Sequence, residues 1–345
     1  MGSGKRRIVL ICAVIAAAIV IAVGASLLSR PPTKSATLRV FCAGSLAIPL
    51  KQVAKEFEDR NPGVKVVIEP SGSVLAVRKI IELNKTADIL AVADYRLIPA
   101  LMMPEHASFC ISFARNKIVL AYTSKSRYAD EINSENWFRI LMRGDVKYGF
   151  SNPNDDPCGY RALMVFALAE KYYGEKDLFK KLVADKSNLK VDARGDEFLI
   201  YVPMDFEPEQ GSNLVIRSKS VDLISLLEAG ALDYALEYKS VAVQRGLKYL
   251  ELPVEIDLSD PDLDEWYRRV HVYLFYGTDK QREVVGESIV YGLTIPRRAQ
   301  NRDLSIEFIN FLLSDEGRRI FEKSGQQFLD EFEVVGEVPE EIRLG

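Results

Sequence analysis

Leu38-Arg39-Val40-Phe41-Cys42, followed at once by Ala43-Gly44-Ser45-Leu46, is the stretch on which the fold turns. The first five residues read as a strand. Leu46 then opens a run to Asp59 in which Leu46, Leu50, Val53, Ala54 and Phe57 share one helical face. Asn61-Pro62-Gly63 turns the chain. Val64 to Glu69 is a second strand. Ser73 to Asn84 is a second helix with Val74, Val77, Ile80 and Ile81 inward, and Ala87 to Val92 is a third strand. This β-α-β-α-β order predicts an α/β fold with a parallel sheet and helices on both faces. Such sheets bind ligands beyond the carboxyl ends of their strands.

Further along, Ile118 to Thr123 is a strong strand and is read as a crossing to a second lobe. Tyr148 to Phe150 and Leu232 to Tyr238 are strands, and Pro157 to Tyr173 is a long helix. Leu189 to Ile216 alternates with turns and reads as a β excursion. Val221 to Ala229 is a helix ended by Gly230. Ile289 to Ile295 returns to the first lobe, and Leu304 to Leu313 and Asp315 to Ser324 close it. Two crossings define a hinged clamp, with lobe I at 37–120 plus 292–345 and lobe II at 121–291. A ligand held between such lobes favours the closed state.

Three helix starts share one composition: Ala43-Gly44-Ser45-Leu46, Pro70-Ser71-Gly72-Ser73-Val74 and Asn154-Asp155-Asp156-Pro157-Cys158-Gly159-Tyr160. A helix start exposes unpaired N–H groups and the positive end of the macrodipole. A small hydroxyl adds a donor and Gly admits close approach. The bland reading makes Ser45 and Ser73 ordinary N-caps. Asp156 before Pro157 is also a good N-cap, but capping does not require Asp155, Cys158 and Gly159. Three such starts in one chain point to a pocket for a small oxyanion. Ser220 before Asp222 opens another helix, and Tyr238 ends a strand where its hydroxyl either faces the cleft or packs.

Composition narrows the alternatives. The 345 residues are 48% hydrophobic and 27% charged, which excludes a mainly disordered chain. A net charge of -4 with scattered Lys and Arg argues against nucleic acid. Two His, no Gly-x-Ser-x-Gly elbow and no phosphate-binding Gly-Lys loop leave enzyme chemistry without support. No Cys-x-x-Cys occurs, and the three Cys beyond the N-terminal run leave at least one thiol unpaired. Lys5-Arg6-Arg7 precede an apolar run from Ile8 to Leu28, roughly the 20 residues that span a bilayer. Residues 1–29 are therefore read as an uncleaved anchor with its N-terminus in the cytoplasm, a cleaved signal being the alternative. Residues 30–36 form a Pro-containing tether, and the remainder is extracytoplasmic.

Four stretches carry a resemblance: Asn152 to Ala162, Asp222 to Tyr234, Tyr238-Lys239-Ser240-Val241-Ala242 and Glu251 to Leu258. In order, they resemble the archaeal molybdate/tungstate-binding proteins of ABC uptake transporters. The resemblance implies a two-lobed type II periplasmic-binding-protein fold, each lobe a mostly parallel sheet flanked by helices, preceded by a transmembrane helix. It implies a monomeric receptor that performs no reaction, needs no cofactor and delivers its oxyanion to an ABC transporter permease. Gly44, Ser45 and Ser73 would bind the anion from lobe I. Asp156 with the backbone of Pro157 and Cys158 would bind it from lobe II, and Tyr238 would complete the shell. In that family the Asp and a later Glu can both reach the metal and make it six-coordinate. Here Ser220 stands at the Glu position. Asp222 lies about 200° around the helix and is a poor substitute. Ser220 is then expected to donate to an oxyanion oxygen. Asp156 either ligates Mo or W alone or makes a protonated or water-mediated contact. The alternatives are a receptor for another tetrahedral oxyanion such as sulfate, or an anchored enzyme using Asp155 or Asp156.

Overall fold

The computed structural model describes residues 36–344. The anchor expected at 1–29, and the tether up to Ser35, lie outside the described residues. Among the described residues no helix is long and apolar enough to cross a membrane.

Lobe I is built on a six-stranded sheet in the order Gln327–Gly336, Phe109–Asn116, Ile289–Thr294, Ile89–Val92, Ala36–Ala43, Val64–Ser71. The expected β-α-β-α-β unit is present: Ala36–Ala43 pairs in parallel with both Val64–Ser71 and Ile89–Val92. Helix Ala47–Arg60 buries Leu50, Val53, Ala54 and Phe57, and Phe57 meets Phe308 of helix Arg302–Leu313 edge-on at 5.2 Å. The sheet is mixed rather than mostly parallel, because Ile289–Thr294 runs antiparallel to Ile89–Val92 and to Phe109–Asn116. The strand that brings the chain back into lobe I arrives from the opposite end, so it enters against the direction of the first three.

Lobe II is also mixed. Its five-stranded sheet runs Lys248–Glu251, Ile118–Tyr122, Tyr234–Tyr238, Tyr148–Ser151, Leu214–Arg217. Tyr234–Tyr238 is parallel to Tyr148–Ser151 and antiparallel to Ile118–Tyr122. The β excursion resolves into two parts. Lys190–Arg194 and Glu197–Pro203 form a hairpin within a separate four-stranded sheet that includes Val270–Tyr276 and Arg282–Val285. Leu214–Arg217 instead joins the large sheet.

The boundaries drawn from sequence at 120/121 and 291/292 cut through strands. Ile118–Tyr122 lies wholly in the lobe II sheet and Ile289–Thr294 wholly in the lobe I sheet. The outward crossing is therefore at Asn116-Lys117. Asn116 Nδ2 donates both to Ser240 Oγ of lobe II and to Tyr291 OH of lobe I, each at 2.7 Å.

Helix Pro157–Tyr173 departs from a one-sided amphipathic pattern: every residue from Pro157 to Ala169 is buried. It packs against strands of both lobe II sheets, so apolar residues occupy every face of it, with Arg161 as its one buried charge. Gly159 makes its start possible. A Cβ there would lie 2.1 Å from the Ser151 carbonyl oxygen and 2.7 Å from Pro153 N. Gly159→Ala is expected to lower stability by about 1–3 kcal/mol through overpacking, read as a lower urea midpoint. An unchanged midpoint would show that the strand end and the helix start are free to separate.

Candidate functional site

In lobe I the three parallel strands end together, with Ala43 opposite Ser71. In lobe II, Ser151 and Tyr238 end neighbouring parallel strands. These two sets of carboxyl ends face each other across the seam between the lobes, and the backbones meet there. A Cβ on Gly72 would lie 2.2 Å from the Asp155 carbonyl oxygen, and one on Gly44 would lie 3.0 Å from Val221 Cγ2. Leu75 N donates across the seam to that same Asp155 oxygen at 3.4 Å. The lobes are closed upon one another.

Ser45, Ser73, Asp156, Cys158, Ser220 and Tyr238 are all buried along this seam. Neither serine of lobe I is a helix cap. The Tyr291 hydroxyl pairs with Ser45 Oγ at 3.1 Å, and Ser73 Oγ accepts from Ala93 N at 3.0 Å. Asp156 does cap its helix. Its Oδ1 accepts from Cys158 N at 3.2 Å and its Oδ2 from Ser220 N at 2.8 Å. Pro157 follows at the first helical position and has no N–H to give a ligand. The Cys158 N–H is likewise committed to Asp156. The helix start is therefore filled by its own carboxylate, a change from the expectation that Pro157 and Cys158 offer free backbone donors. Asp155 diverges from its neighbour: its Oδ2 accepts from Ser218 Oγ at 3.0 Å. The two carboxylates do not share partners, as an acid–base pair would.

Several residues of the seam had not been singled out from sequence. Arg161 is 1% exposed, and its Nη1 donates to Ala93 O of lobe I at 2.6 Å and to Tyr238 OH of lobe II at 2.8 Å. Tyr160 OH donates to Asp94 Oδ2 at 2.6 Å. Asp94 also accepts from Arg96 through Nε and Nη2, at 3.0 and 2.9 Å. Burial pushes the Asp94 carboxyl up, but Arg96 and Arg161 outweigh it and hold it well below the usual carboxylate range. Arg96 in turn reaches lobe II at Val285 O (2.8 Å) and Glu287 Oε2 (2.9 Å). One detectable signal was a charged residue inside an apolar run, which is how Arg161 sits in its helix and Glu237 in its strand.

Buried groups lacking partners concentrate here. Ser71 Oγ at the end of a lobe I strand and Ser151 Oγ at the end of a lobe II strand have none, nor does Glu237 Oε2. Glu237 is 0% exposed, and burial pushes its carboxyl up to about 8. Burial also raises Asp156, against the N–H groups of Ser220 and Cys158, and raises the Cys158 thiol and the Tyr238 hydroxyl well above their ordinary values. Cys42, Cys110 and Cys158 are all buried free thiols. The seam is buried, rich in hydroxyls and crossed by the Arg161 guanidinium. Its hydroxyls and guanidinium are groups that can donate hydrogen bonds to an anion.

Comparison with known proteins matches this architecture. The family model described as bacterial extracellular solute-binding protein matches residues 38–327. An uncharacterized solute-binding protein of Staphylothermus marinus is 48% identical over 313 residues, covering 90% of this chain and 89% of its own. The molybdate/tungstate-binding protein WtpA of Pyrococcus abyssi is 46% identical over 317 residues, covering 90% of each. The periplasmic molybdate-binding protein of Azotobacter vinelandii has the same fold, with a TM-score of 0.56 at 17% identity over 84% of this chain and 98% of that one. Two lobes closing on a buried polar seam, and relatives that match along nearly the whole folded part, make this chain a solute receptor and not an enzyme: it belongs to the bacterial extracellular solute-binding protein family.

Proposed function

We propose that this protein captures molybdate or tungstate between its lobes outside the cytoplasm and hands it to an ABC transporter permease. The observation that carries this reading is the meeting of hydroxyl-rich strand ends from both lobes around the buried Arg161. A small tetrahedral dianion can take hydrogen bonds there from lobe I and lobe II at once, which is what biases a hinge toward closure. The ligand class is supported by the relatives named for molybdate and tungstate. The apolar segment from Ile8 to Leu28 tethers the receptor to the membrane, with the N-terminus inside, and one copy suffices for a site made by the lobes of a single chain.

In this reading Gly44, Ser45 and Ser73 face the anion from lobe I, with Ser71 added because its buried hydroxyl has no other partner. Tyr238, held by Arg161, and Ser220 face it from lobe II. Both Asp156 oxygens already accept backbone N–H groups. A carboxylate beside a dianion is repulsive unless it binds the metal, and here the N–H groups and Arg161 offset that repulsion. With Ser220 in place of a second acid, the metal keeps its tetrahedral shell.

Three outcomes follow. Calorimetry and thermal shifts should show binding of molybdate and tungstate in preference to sulfate and phosphate, with about 2.7 kcal/mol of stabilisation at 100 times Kd; failure of both metal oxyanions to bind overturns the reading, and tighter sulfate binding reassigns the receptor. Metal-edge X-ray absorption of the complex should give a tetrahedral spectrum, whereas six-coordination would place Asp156 oxygen on the metal. Gly72→Ala should weaken anion binding at least about tenfold while leaving the urea midpoint unchanged. The Gly72 backbone, at φ -61° and ψ 143°, suits alanine, and only the space needed for closure is lost.

A further inference from the structure

Glu237 occupies a position that the capture of an anion makes costly. It is fully buried on strand Tyr234–Tyr238. Its Oε1 accepts from Tyr238 N at 2.8 Å and lies 3.8 Å from Cys158 Sγ, while Oε2 has no partner. Among the described residues no Lys or Arg forms an ion pair with it. The titratable and charged groups around it are Asp156 and Cys158 at the helix start, Tyr238 beside it, and Arg161 one turn along the helix, with the Ser220 hydroxyl as a neutral neighbour. Arg161 is already engaged with Ala93 O and Tyr238 OH and lies 3.7 Å from Asp94.

Two acids and an incoming dianion would then share one buried seam. Like charges so placed cannot all be ionised, and the proton goes to the acid whose charged form is least solvated. Asp156 accepts two backbone N–H bonds, which favour its carboxylate. Glu237 accepts one backbone N–H, from Tyr238, and a weak contact from the Cys158 thiol, its Oε2 has no hydrogen-bond partner, and burial outweighs these and the nearby Ser220 hydroxyl. The proton therefore belongs on Glu237. Cys158 touches both acids, through its N–H to Asp156 and its Sγ to Glu237, and Tyr238 connects Glu237 to Arg161, so Glu237 lies directly behind the proposed anion shell.

We propose that Glu237 couples anion capture to a proton: with its carboxyl protonated the pocket accepts a dianion, and with its carboxyl ionised it repels one. This rests on the oxyanion reading and adds to it a condition on the state of the receptor. By linkage, the anion binds the protonated form more tightly and must raise the proton affinity of Glu237 in return. Since burial pushes that group up to about 8, capture is strong at neutral pH and weakens in alkali.

The test is titration calorimetry of the full-length protein with molybdate and with tungstate, from about pH 6 to about pH 9.5, in buffers of differing ionisation enthalpy. The Kd should be level to about pH 7 and then rise, approaching tenfold per pH unit above about pH 8. Proton uptake should grow from near zero toward about one per anion over the same range. Glu237→Gln, which mimics the neutral acid, should retain the neutral-pH affinity and abolish both the slope and the uptake. It should bind about tenfold more tightly than the wild type near pH 9. A level wild-type Kd without proton uptake, or an unaltered slope in Glu237→Gln, overturns the inference while leaving the receptor reading intact. Absence of binding at pH 7 overturns the receptor reading itself. Should the variant not fold, wild-type proton uptake decides alone.

Discussion

The Arg161 guanidinium is the interaction on which the seam depends. It rises from the helix that carries Asp156, Cys158 and Gly159, yet it bonds to a carbonyl of the opposite lobe and to the Tyr238 hydroxyl of its own. A guanidinium stays charged wherever it is placed, so burying it demands compensation, and Asp94 at 3.7 Å supplies that from lobe I. Removing one partner of such a pair leaves a buried charge unpaired, at a cost of about 3–5 kcal/mol. Asp94 therefore also fixes Tyr160 and Arg96, and through Arg96 the Val285 to Glu287 segment. The closed lobes are joined by a chain of alternating charges.

The proposed capture of an anion in a seam that contains acids turns on how the charge of each acid is offset. Asp156 is neutralised locally by two N–H groups and sits near Arg161. Burial pushes the Glu237 carboxyl up to about 8, against the N–H of Tyr238. What remains for the proposed anion is one guanidinium and a set of hydroxyls, two of which, on Ser71 and Ser151, lack a hydrogen-bond partner. In the proposed reading Ser220, at the position where the resembled family carries a second carboxylate, adds no negative charge toward the ligand, and the metal keeps its tetrahedral shell. On that proposal, selectivity rests on size and hydrogen-bond geometry rather than on metal–carboxylate bonds.

What sequence could reveal follows from the range of each effect. Capping is local, so Asp156 and Pro157 were legible, and so was the first β-α-β-α-β unit with its short-range hydrophobic periodicity. Strand direction is not local. Phe109–Asn116 pairs with Ile289–Thr294 and Gln327–Gly336, segments too distant for any pattern to connect, and the mixed sheets went unread. The cap reading of Ser45 and Ser73 failed for a similar reason: their hydroxyls bond to Tyr291 and Ala93, partners supplied by tertiary structure. Arg161 and Glu237 left a visible trace as charges within apolar runs. Their partners could not be inferred, because helix Pro157–Tyr173 is buried all round and periodicity assigns it no face.

The central claim is that one oxyanion sits in the seam between the lobe I strand ends and the Asp156 helix. Anomalous diffraction at the tungsten edge from crystals grown with tungstate tests it most directly. The account predicts a single strong peak within hydrogen-bond distance of Ser45 or Ser73 on one side and of Ser220 or Tyr238 on the other. A peak at the protein surface, or one bound by a single lobe, would contradict it.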